Sequence, residues 1–239
     1  MSLVGIVLFG ALMGMSHTLE ADHLAAVASL ATRAKSAAEG VRMGVAWGLG
    51  HSLTLFLFGA VVLAVDAVVP ERLAAALELG AGVMLVVLGA DVCRRLVRRR
   101  VHFHLHRHEG GTTHFHAHSH QTGKSRLGHA KEPHEHSHHT PARALLVGVV
   151  HGLAGSAALV LLALESAPSF AAGLGYIAVF GLGSTLGMAI LSAAISVPLR
   201  ITAVRLTRLH RAVEGLVGVT TFLLGTFVVY RHFVMLTSQ

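Results

Sequence analysis

The chain has 239 residues, of which 53% are hydrophobic and 13% are charged, and its mean hydropathy is +0.65. Soluble domains carry about 25% charged residues, so this composition excludes an ordinary water-soluble globule. Uncharged stretches recur that reach or exceed the ~20 residues with which a helix crosses a ~30 Å hydrocarbon core. We therefore predict an all-α polytopic membrane protein. The single cysteine, Cys93, rules out an internal disulfide and leaves imidazole and oxygen as ligands for any metal chemistry.

Hydropathy predicts about six membrane-spanning helices, with bounds accurate to a few residues. The first is expected to remain as a span, because Met1-Ser2-Leu3 offers no basic leader and no cleavage site follows. The third and sixth have short uncharged cores, each preceded by a glutamate, so four spans with two re-entrant helices is the alternative. The predicted spans are Leu3–Ala31, Gly44–Val65, Leu73–Ala90, Ala144–Leu164, Phe170–Leu199 and Ala212–Tyr230.

The basic residues predict the orientation of these spans. Seventeen of the nineteen Lys and Arg lie in alternate loops, between spans one and two, three and four, and five and six. By the positive-inside rule these loops are cytoplasmic and both termini face outward, as we expect for a protein of a bacterial inner (plasma) membrane. The net charge of +7 is therefore a topology signal, and no nucleic-acid partner is expected.

The two halves of the chain resemble each other in three blocks, at offsets of 134, 133 and 136 residues. A repeat of three helices is odd in number, so the second copy must be inverted in the bilayer. Inverted repeats are typical of secondary transporters, whose site lies near the midplane. We predict a 3+3 inverted repeat with parts 1–100, 101–141 and 142–239; chance similarity of glycine-rich helices is the alternative. The blocks are Gly14–Leu19 with Gly148–Leu153, Trp47–Leu53 with Phe180–Leu186, and Glu78–Gly89 with Glu214–Gly225.

Polar residues cluster inside the first predicted span, at His17, Glu20, Asp22 and His23. A buried charge costs about 3 kcal/mol on insertion scales, and no Lys or Arg lies in any predicted span, so a divalent cation is the natural partner. On a regular helix Asp22 lies off the arc of about 120° that holds the other three. Either one carboxylate has another role or the helix is broken here. In the alternative without an ion, these groups bond one another and pin the bundle.

The segment His17–His23 has the pattern H-x4-D-H and resembles the signature of the nickel/cobalt transporter (NiCoT) superfamily. Leu49–Ser52 is similar to the second motif of that superfamily, and the resemblance extends through Gly152–Ser156 and Phe180–Met188. It implies a permease for nickel or cobalt whose metal is carried by the His and Asp residues of the first motif. The chain lacks the acidic residues that many family permeases have in span four, which indicates a shorter, urease-accessory-like branch. The efflux branch also has six spans and a His-rich loop but typically lacks the Asp of the first motif.

These observations give a set of expected site residues. The expected metal ligands are His17, Asp22, His23, His51 and His151. We expect Glu20, Ser52, Ser156 and Ser184 to support those ligands. No permanent cofactor is expected, because Ni²⁺ or Co²⁺ would be the transported substrate.

The segment between Val101 and Pro141 contains thirteen histidines and is too polar to build a core, so we expect it to be disordered without metal. Such a tract can collect borderline dications, and a nonspecific solvated linker is the alternative. Its match to H-E-x-x-H at His134–His138 is expected by chance in so biased a tract. The histidines assigned to metal collection are His102, His104, His106, His108, His114, His116, His118, His120, His134, His136, His138 and His139.

The favoured function is a non-enzymatic transporter of a transition-metal dication. No Walker-type phosphate-binding motif occurs, so ATP is not the direct fuel. A dication moving inward gains about 4.6 kcal/mol per 100 mV of membrane potential, which favours import. The alternatives are efflux by proton exchange, an intramembrane zinc hydrolase that uses Glu20 or Asp22 to activate water, and a metal-sensing scaffold. The expected partners are transition-metal ions, the lipid bilayer and a cytosolic metal acceptor.

Overall fold

The computed structural model describes residues 3–34, 36–65, 69–98, 102–107, 113–118, 140–154 and 169–238. Helices form almost all of this part of the chain, as the composition predicts. The helices are α1 (Leu3–His17), α2 (Ala21–Ala31), α3 (Ala37–Val65), α4 (Glu71–Arg98), α5 (Thr140–Ala154), α6 (Phe170–Arg205) and α7 (Thr207–Thr237), and the strands are β1 (His102–Arg107) and β2 (Thr113–His118).

Among the described residues, four helices are long and apolar enough to cross a membrane: α3, α4, and most of α6 and α7. They support an integral membrane protein. Helices α4 and α7, with 28 and 31 residues, correspond to the third and sixth predicted spans, so neither has the short length that the re-entrant alternative required. Helices α1, α2 and α5 are shorter.

One predicted span differs from the structure, and a second is described only in part. The predicted helix Leu3–Ala31 is interrupted after His17 and resumes at Ala21, so it forms α1 and α2. The predicted helix Ala144–Leu164 corresponds to α5, whose described part ends at Ala154. Residues 155–168 lie outside the described residues.

The helices around the polar cluster pack closely through glycines. Helix α1 lies on α6, α3 lies between α5 and α6, and α4 lies on α7, while α2 contacts α4, α6 and α7. Gly14 of α1 lies against the backbone of Phe180, and Gly148 of α5 lies against the backbone of Trp47. Small residues allow such close approach of membrane helices. The side chains of Trp47 and Phe180 are fully buried and form part of the core.

Polar contacts fix the C-terminal end of α2. Arg33 pairs with Asp91 of α4, and Nε of Arg95 lies 3.0 Å from the same carboxylate oxygen. Arg95 also donates to the Thr32 hydroxyl at 2.9 Å. The buried hydroxyl of Ser29 donates to Thr221 of α7 at 3.0 Å. Helix α2 is therefore tied to α4 and α7 at one end, while its other end carries Asp22 and His23.

Within the described residues, the histidine-rich segment contains an antiparallel hairpin. Strands β1 and β2 pair with His102 opposite His118 and with His104 opposite His116. Histidine alternates with other residues in both strands, and a period of two is typical of a strand. Residues 101, 108–112 and 119–139 lie outside the described residues, and the expectation that the segment is disordered without metal stays a prediction.

Candidate metal centre

The centre is built around the break between α1 and α2. The N–H groups of Thr18, Leu19 and Glu20 donate to carbonyls three residues back, at 3.3, 3.0 and 3.1 Å, which ends the α-helical pattern. Glu20 then takes an extended conformation, with φ −63° and ψ 149°, before α2 begins. Of the alternatives that the sequence left open, the structure has the broken helix. The break brings His17, at the end of α1, over His23, with ring centroids 4.4 Å apart.

Three histidines from three helices form the first group of candidate ligands. His17, His23 and His51 each offer one ring nitrogen, and these nitrogens lie within 4.8 Å of one another. The His51 ring, from α3, lies 5.7 Å from that of His17 and 5.4 Å from that of His23. Three imidazoles so arranged are suitable ligands for a borderline dication such as nickel, cobalt or zinc.

A second group shares His23 with the first and adds Asp22 and His151. Its three ligand atoms also lie within 4.8 Å of one another. Oδ2 of Asp22 lies 3.2 Å from Nε2 of His151, and Oδ1 lies 3.0 Å from Nδ1 of His23. The structure thus brings all five expected ligands together, but in two overlapping groups instead of one shell.

Each carboxylate of the cluster contacts an imidazole. Oε1 of Glu20 lies 2.7 Å from Nδ1 of His17, and Asp22 accepts from the backbone N–H of His23 at 2.8 Å as well as contacting its ring. Glu20 is 57% exposed, whereas Asp22 is 32% exposed and touches two rings. A carboxylate on the second nitrogen of a histidine fixes the tautomer and the orientation of a metal-binding ring. Glu20 is suited to this supporting role, and Asp22 can act as support or as ligand.

The imidazoles are buried while several of their nitrogens lack hydrogen-bond partners. His23, His51 and His151 are each 1% exposed. Within the described part of the chain, neither ring nitrogen of His51 has a hydrogen-bond partner, and the same holds for Nε2 of His17 and of His23. Buried polar atoms are normally satisfied, and a buried orphan costs about 1–3 kcal/mol. Several such atoms at one point indicate a site for a ligand that accepts their lone pairs.

Two aromatic side chains line the centre, and the sequence analysis did not single them out. The Trp47 ring stacks on His23 with centroids 5.6 Å apart and lies edge-on to His151 at 5.8 Å. The Phe180 ring lies 5.4 Å from His17. These two aromatic rings cover part of the imidazole cluster. Trp47 and Phe180 occupy corresponding positions, each as the first residue of its block in the match of Trp47–Leu53 with Phe180–Leu186. Because buried aromatic residues are common in any protein core, this correspondence alone did not indicate a place at the centre.

Three serines were expected to support the metal ligands: Ser52, Ser156 and Ser184. Ser52 donates to the carbonyl of Gly181 at 2.7 Å and lies 3.0 Å from the Thr185 hydroxyl, so it joins α3 to α6 instead of contacting a ligand. The hydroxyl of Ser184 is buried and has no hydrogen-bond partner among the described residues. Ser156 lies outside the described residues.

The predicted metal-collecting histidines remain predictions. Six of them belong to the hairpin: His102, His104, His106, His114, His116 and His118. The other six lie outside the described residues: His108, His120, His134, His136, His138 and His139.

The long apolar helices and the buried imidazole cluster define a helical membrane protein with a candidate transition-metal centre. The chain is 31% identical to the urease accessory protein UreH of Bacillus sp. (strain TB-90) over 229 residues, which cover 95% of this chain and 92% of that protein. The chain belongs to the UreH family. This relationship supports the urease-accessory-like branch that the sequence resemblance implied. No family model and no solved structure matches the chain.

Proposed function

We propose that this protein is a membrane permease for a transition-metal dication. The observation that carries the proposal is His51, a fully buried histidine whose two ring nitrogens lack partners among the described residues and which lies beside His17 and His23. A dication supplies what this arrangement lacks, because it accepts imidazole lone pairs and balances the charge of Asp22. Intramembrane ionisable residues mark ion pathways in transport proteins.

Nickel or cobalt is the proposed substrate. The H-x4-D-H pattern of His17–His23 resembles that of nickel/cobalt permeases, and the relative is named a urease accessory protein, which supports a nickel-related role. Imidazole and carboxylate ligands suit either metal. No permanent cofactor is proposed, and a cytosolic metal acceptor is the proposed protein partner.

Reciprocal glycine contacts support a 3+3 inverted repeat. A Cβ atom added at Gly14 would lie 2.9 Å from the backbone nitrogen of Ser184, and one added at Gly148 would lie 2.9 Å from that of His51. Gly14 corresponds to Gly148, and His51 to Ser184, at the offsets of 134 and 133 residues. Helix α1 of the first half therefore lies on α6 of the second half, and α5 of the second half lies on α3 of the first half. This exchange is what two inverted copies around a shared site would produce.

The third helices of the two halves, α4 and α7, contact each other reciprocally. A Cβ atom at Gly89 of α4 would lie 2.8 Å from the carbonyl oxygen of Gly218, and one at Gly225 of α7 would lie 2.9 Å from that of Gly82. Gly89 and Gly82 correspond to Gly225 and Gly218 at an offset of 136 residues. These matched contacts favour duplication over chance similarity of glycine-rich helices.

The proposed direction is import, with the histidine-rich segment and the other basic loops on the cytoplasmic side. The membrane potential then drives uptake of a dication, with about 4.6 kcal/mol per 100 mV. Efflux would need proton exchange. For the zinc-hydrolase alternative, Glu20 or Asp22 would serve as the general base, although Glu20 contacts Nδ1 of His17 at 2.7 Å and Asp22 contacts the rings of His23 and His151.

The test compares metal uptake by cells that express the unmutated chain, His51→Asn or the control His232→Asn. His232 is a partly buried histidine of α7 whose Nδ1 contacts the carbonyl of Val228 at 2.9 Å, and it belongs to neither group of candidate ligands. Cells with the unmutated chain and the control should accumulate nickel or cobalt, while His51→Asn, at equal membrane levels, should not. Equal accumulation by His51→Asn and the unmutated chain contradicts the proposal, and a fall in cell metal on expression supports efflux.

A further inference from the structure

The two groups of candidate ligands meet at one ring, that of His23. Nδ1 of His23 lies 3.0 Å from Oδ1 of Asp22 and 3.4 Å from Nε2 of His151. Its Nε2 atom has no hydrogen-bond partner among the described residues, and it is therefore the nitrogen left for His17 and His51. The two nitrogens of this single imidazole can therefore serve different groups.

A neutral imidazole cannot bind ions through both nitrogens at once. One ring nitrogen carries a hydrogen and donates, while the other has the lone pair that a metal needs. When Nε2 binds the ion, the hydrogen lies on Nδ1, where Asp22 accepts it. When Nδ1 binds the ion, the hydrogen must lie on Nε2.

The spacing of the atoms fits an ion in each group. With metal–nitrogen bonds of about 2.0–2.1 Å, as for zinc, the ligand atoms of a tetrahedral shell lie about 3.3–3.4 Å apart. Nδ1 of His23 and Nε2 of His151 lie 3.4 Å apart, and Asp22 contacts them through different oxygens, Oδ1 at 3.0 Å from His23 and Oδ2 at 3.2 Å from His151. An ion there would replace hydrogen bonds among atoms that are already near this spacing. The atoms of His17, His23 and His51 lie within 4.8 Å and would have to draw closer.

We propose that the centre has two alternative ion positions, one on His17, Nε2 of His23 and His51, the other on Asp22, Nδ1 of His23 and His151. The ion passes from one position to the other across the His23 ring. During this passage the ring loses a proton from Nδ1 to the Asp22 carboxylate and gains one at Nε2 from water, and Asp22 returns its proton to water. The protein binds the same number of protons before and after the passage, so the passage itself consumes no proton gradient.

This proposal rests on the proposed metal transport, but a measurement of metal binding alone can test it. Co²⁺ is the probe, because its visible absorption reports the number and type of its ligands. The protein is the full chain in which the thirteen histidines of 101–141 are replaced by Gln, so that the loop does not contribute to binding. The variants are His51→Asn, which removes the first position, His151→Asn, which removes the second, and both together. His232→Asn is the matched control, and size-exclusion chromatography checks that each variant is folded.

Each single variant should bind one Co²⁺ with its own spectrum, because a complete position remains. The double variant and His23→Ala should lose affinity by more than about 100-fold, beyond the loss expected for an outer-shell change. Loss of binding in either folded single variant, or identical spectra in both, overturns the two positions and leaves one shared shell. Absence of Co²⁺ binding by the chain without site substitutions overturns the proposed function as well. Asp22→Asn should reproduce the spectrum of His151→Asn, which provides a second route to the same answer if that variant does not fold.

Discussion

Nδ1 of His17 lies 2.7 Å from Oε1 of Glu20, so a half-exposed carboxylate holds a ring that is almost fully buried. The contact spans the break between α1 and α2 and leaves Nε2 of His17 without a partner among the described residues. Glu20 is therefore placed where it can orient a candidate ligand without entering the apolar part of the centre.

Glu20→Gln is predicted to weaken metal uptake without abolishing it. The amide cannot hold the His17 ring as a carboxylate does, so the apparent affinity should fall about 10- to 100-fold, the range for partners of metal ligands. The maximal uptake rate should change little, since no candidate ligand is removed. Uptake measured against nickel concentration separates the two parameters. A hydrolase that used Glu20 as its base would instead retain its zinc and lose turnover.

Asp22→Asn is predicted to abolish transport while the protein still inserts. The substitution keeps the shape of the side chain but removes the negative charge that lies against His23 and His151. Nickel and cobalt accumulation should fall to the level of cells without the protein, with equal amounts of protein in the membrane. Glu71→Gln, at the exposed start of α4, is the control for loss of one acidic charge and should transport normally. Full metal accumulation by cells with Asp22→Asn would contradict the transport role and indicate that the cluster only stabilises the helix bundle.

Gly148→Ala is predicted to disturb both packing and metal binding. The added Cβ atom would lie 2.7 Å from Cδ1 of Trp47 and 2.9 Å from the backbone nitrogen of His51, closer than such atoms approach. Overpacking of this kind costs about 1–3 kcal/mol, and moving α5 also moves His151. The midpoint of thermal unfolding in detergent and the Co²⁺ affinity should both fall. Gly175→Ala is the matched control, because nothing lies within 4 Å of its added Cβ atom, and it should behave as the unmutated chain.

Replacing the loop histidines is predicted to alter regulation or metal dependence but not the transport step. The candidate centre is complete without them, since its five ligands come from residues 17–23, α3 and α5. A chain with Gln at all thirteen histidines of 101–141 should still accumulate metal, with a changed response at low metal concentration. Complete loss of uptake at a normal protein level would place an essential site in the loop.

Single cysteines test the predicted orientation. Cys93 itself is a poor probe, because its Sγ atom lies 2.8 Å from the Cβ position of Gly218 in the contact of α4 with α7. In a Cys93→Ala background, Ala38→Cys, near the basic loop before α3, should react with an impermeant thiol reagent only after the membrane is opened. Ser238→Cys, at the end of α7, should react in intact cells. The reverse pattern would invert the topology and place the histidine-rich segment outside.

The sequence predicts the members of the centre better than their arrangement. His17, Asp22 and His23 lie within seven residues, so any compact fold of that segment brings them close. Whether the segment was a regular helix or a broken one depended on the local hydrogen bonds at Thr18 and Glu20, and hydropathy does not report these. The division into two groups depends on where α3 and α5 place His51 and His151. That placement follows from long-range glycine contacts, for which no local pattern exists.

The contact between Asp22 and His151 also affects how the protein is made. More than half of the chain separates the two residues, so a ribosome that has finished α1 and α2 has yet to begin α5. Until α5 arrives, the acid of the nascent chain lacks its imidazole from that helix, and holding a charge in the bilayer costs about 3 kcal/mol. A chain that stops before Thr140 cannot complete this pair. Truncated products therefore retain the Asp22 carboxylate without its imidazole partner from α5.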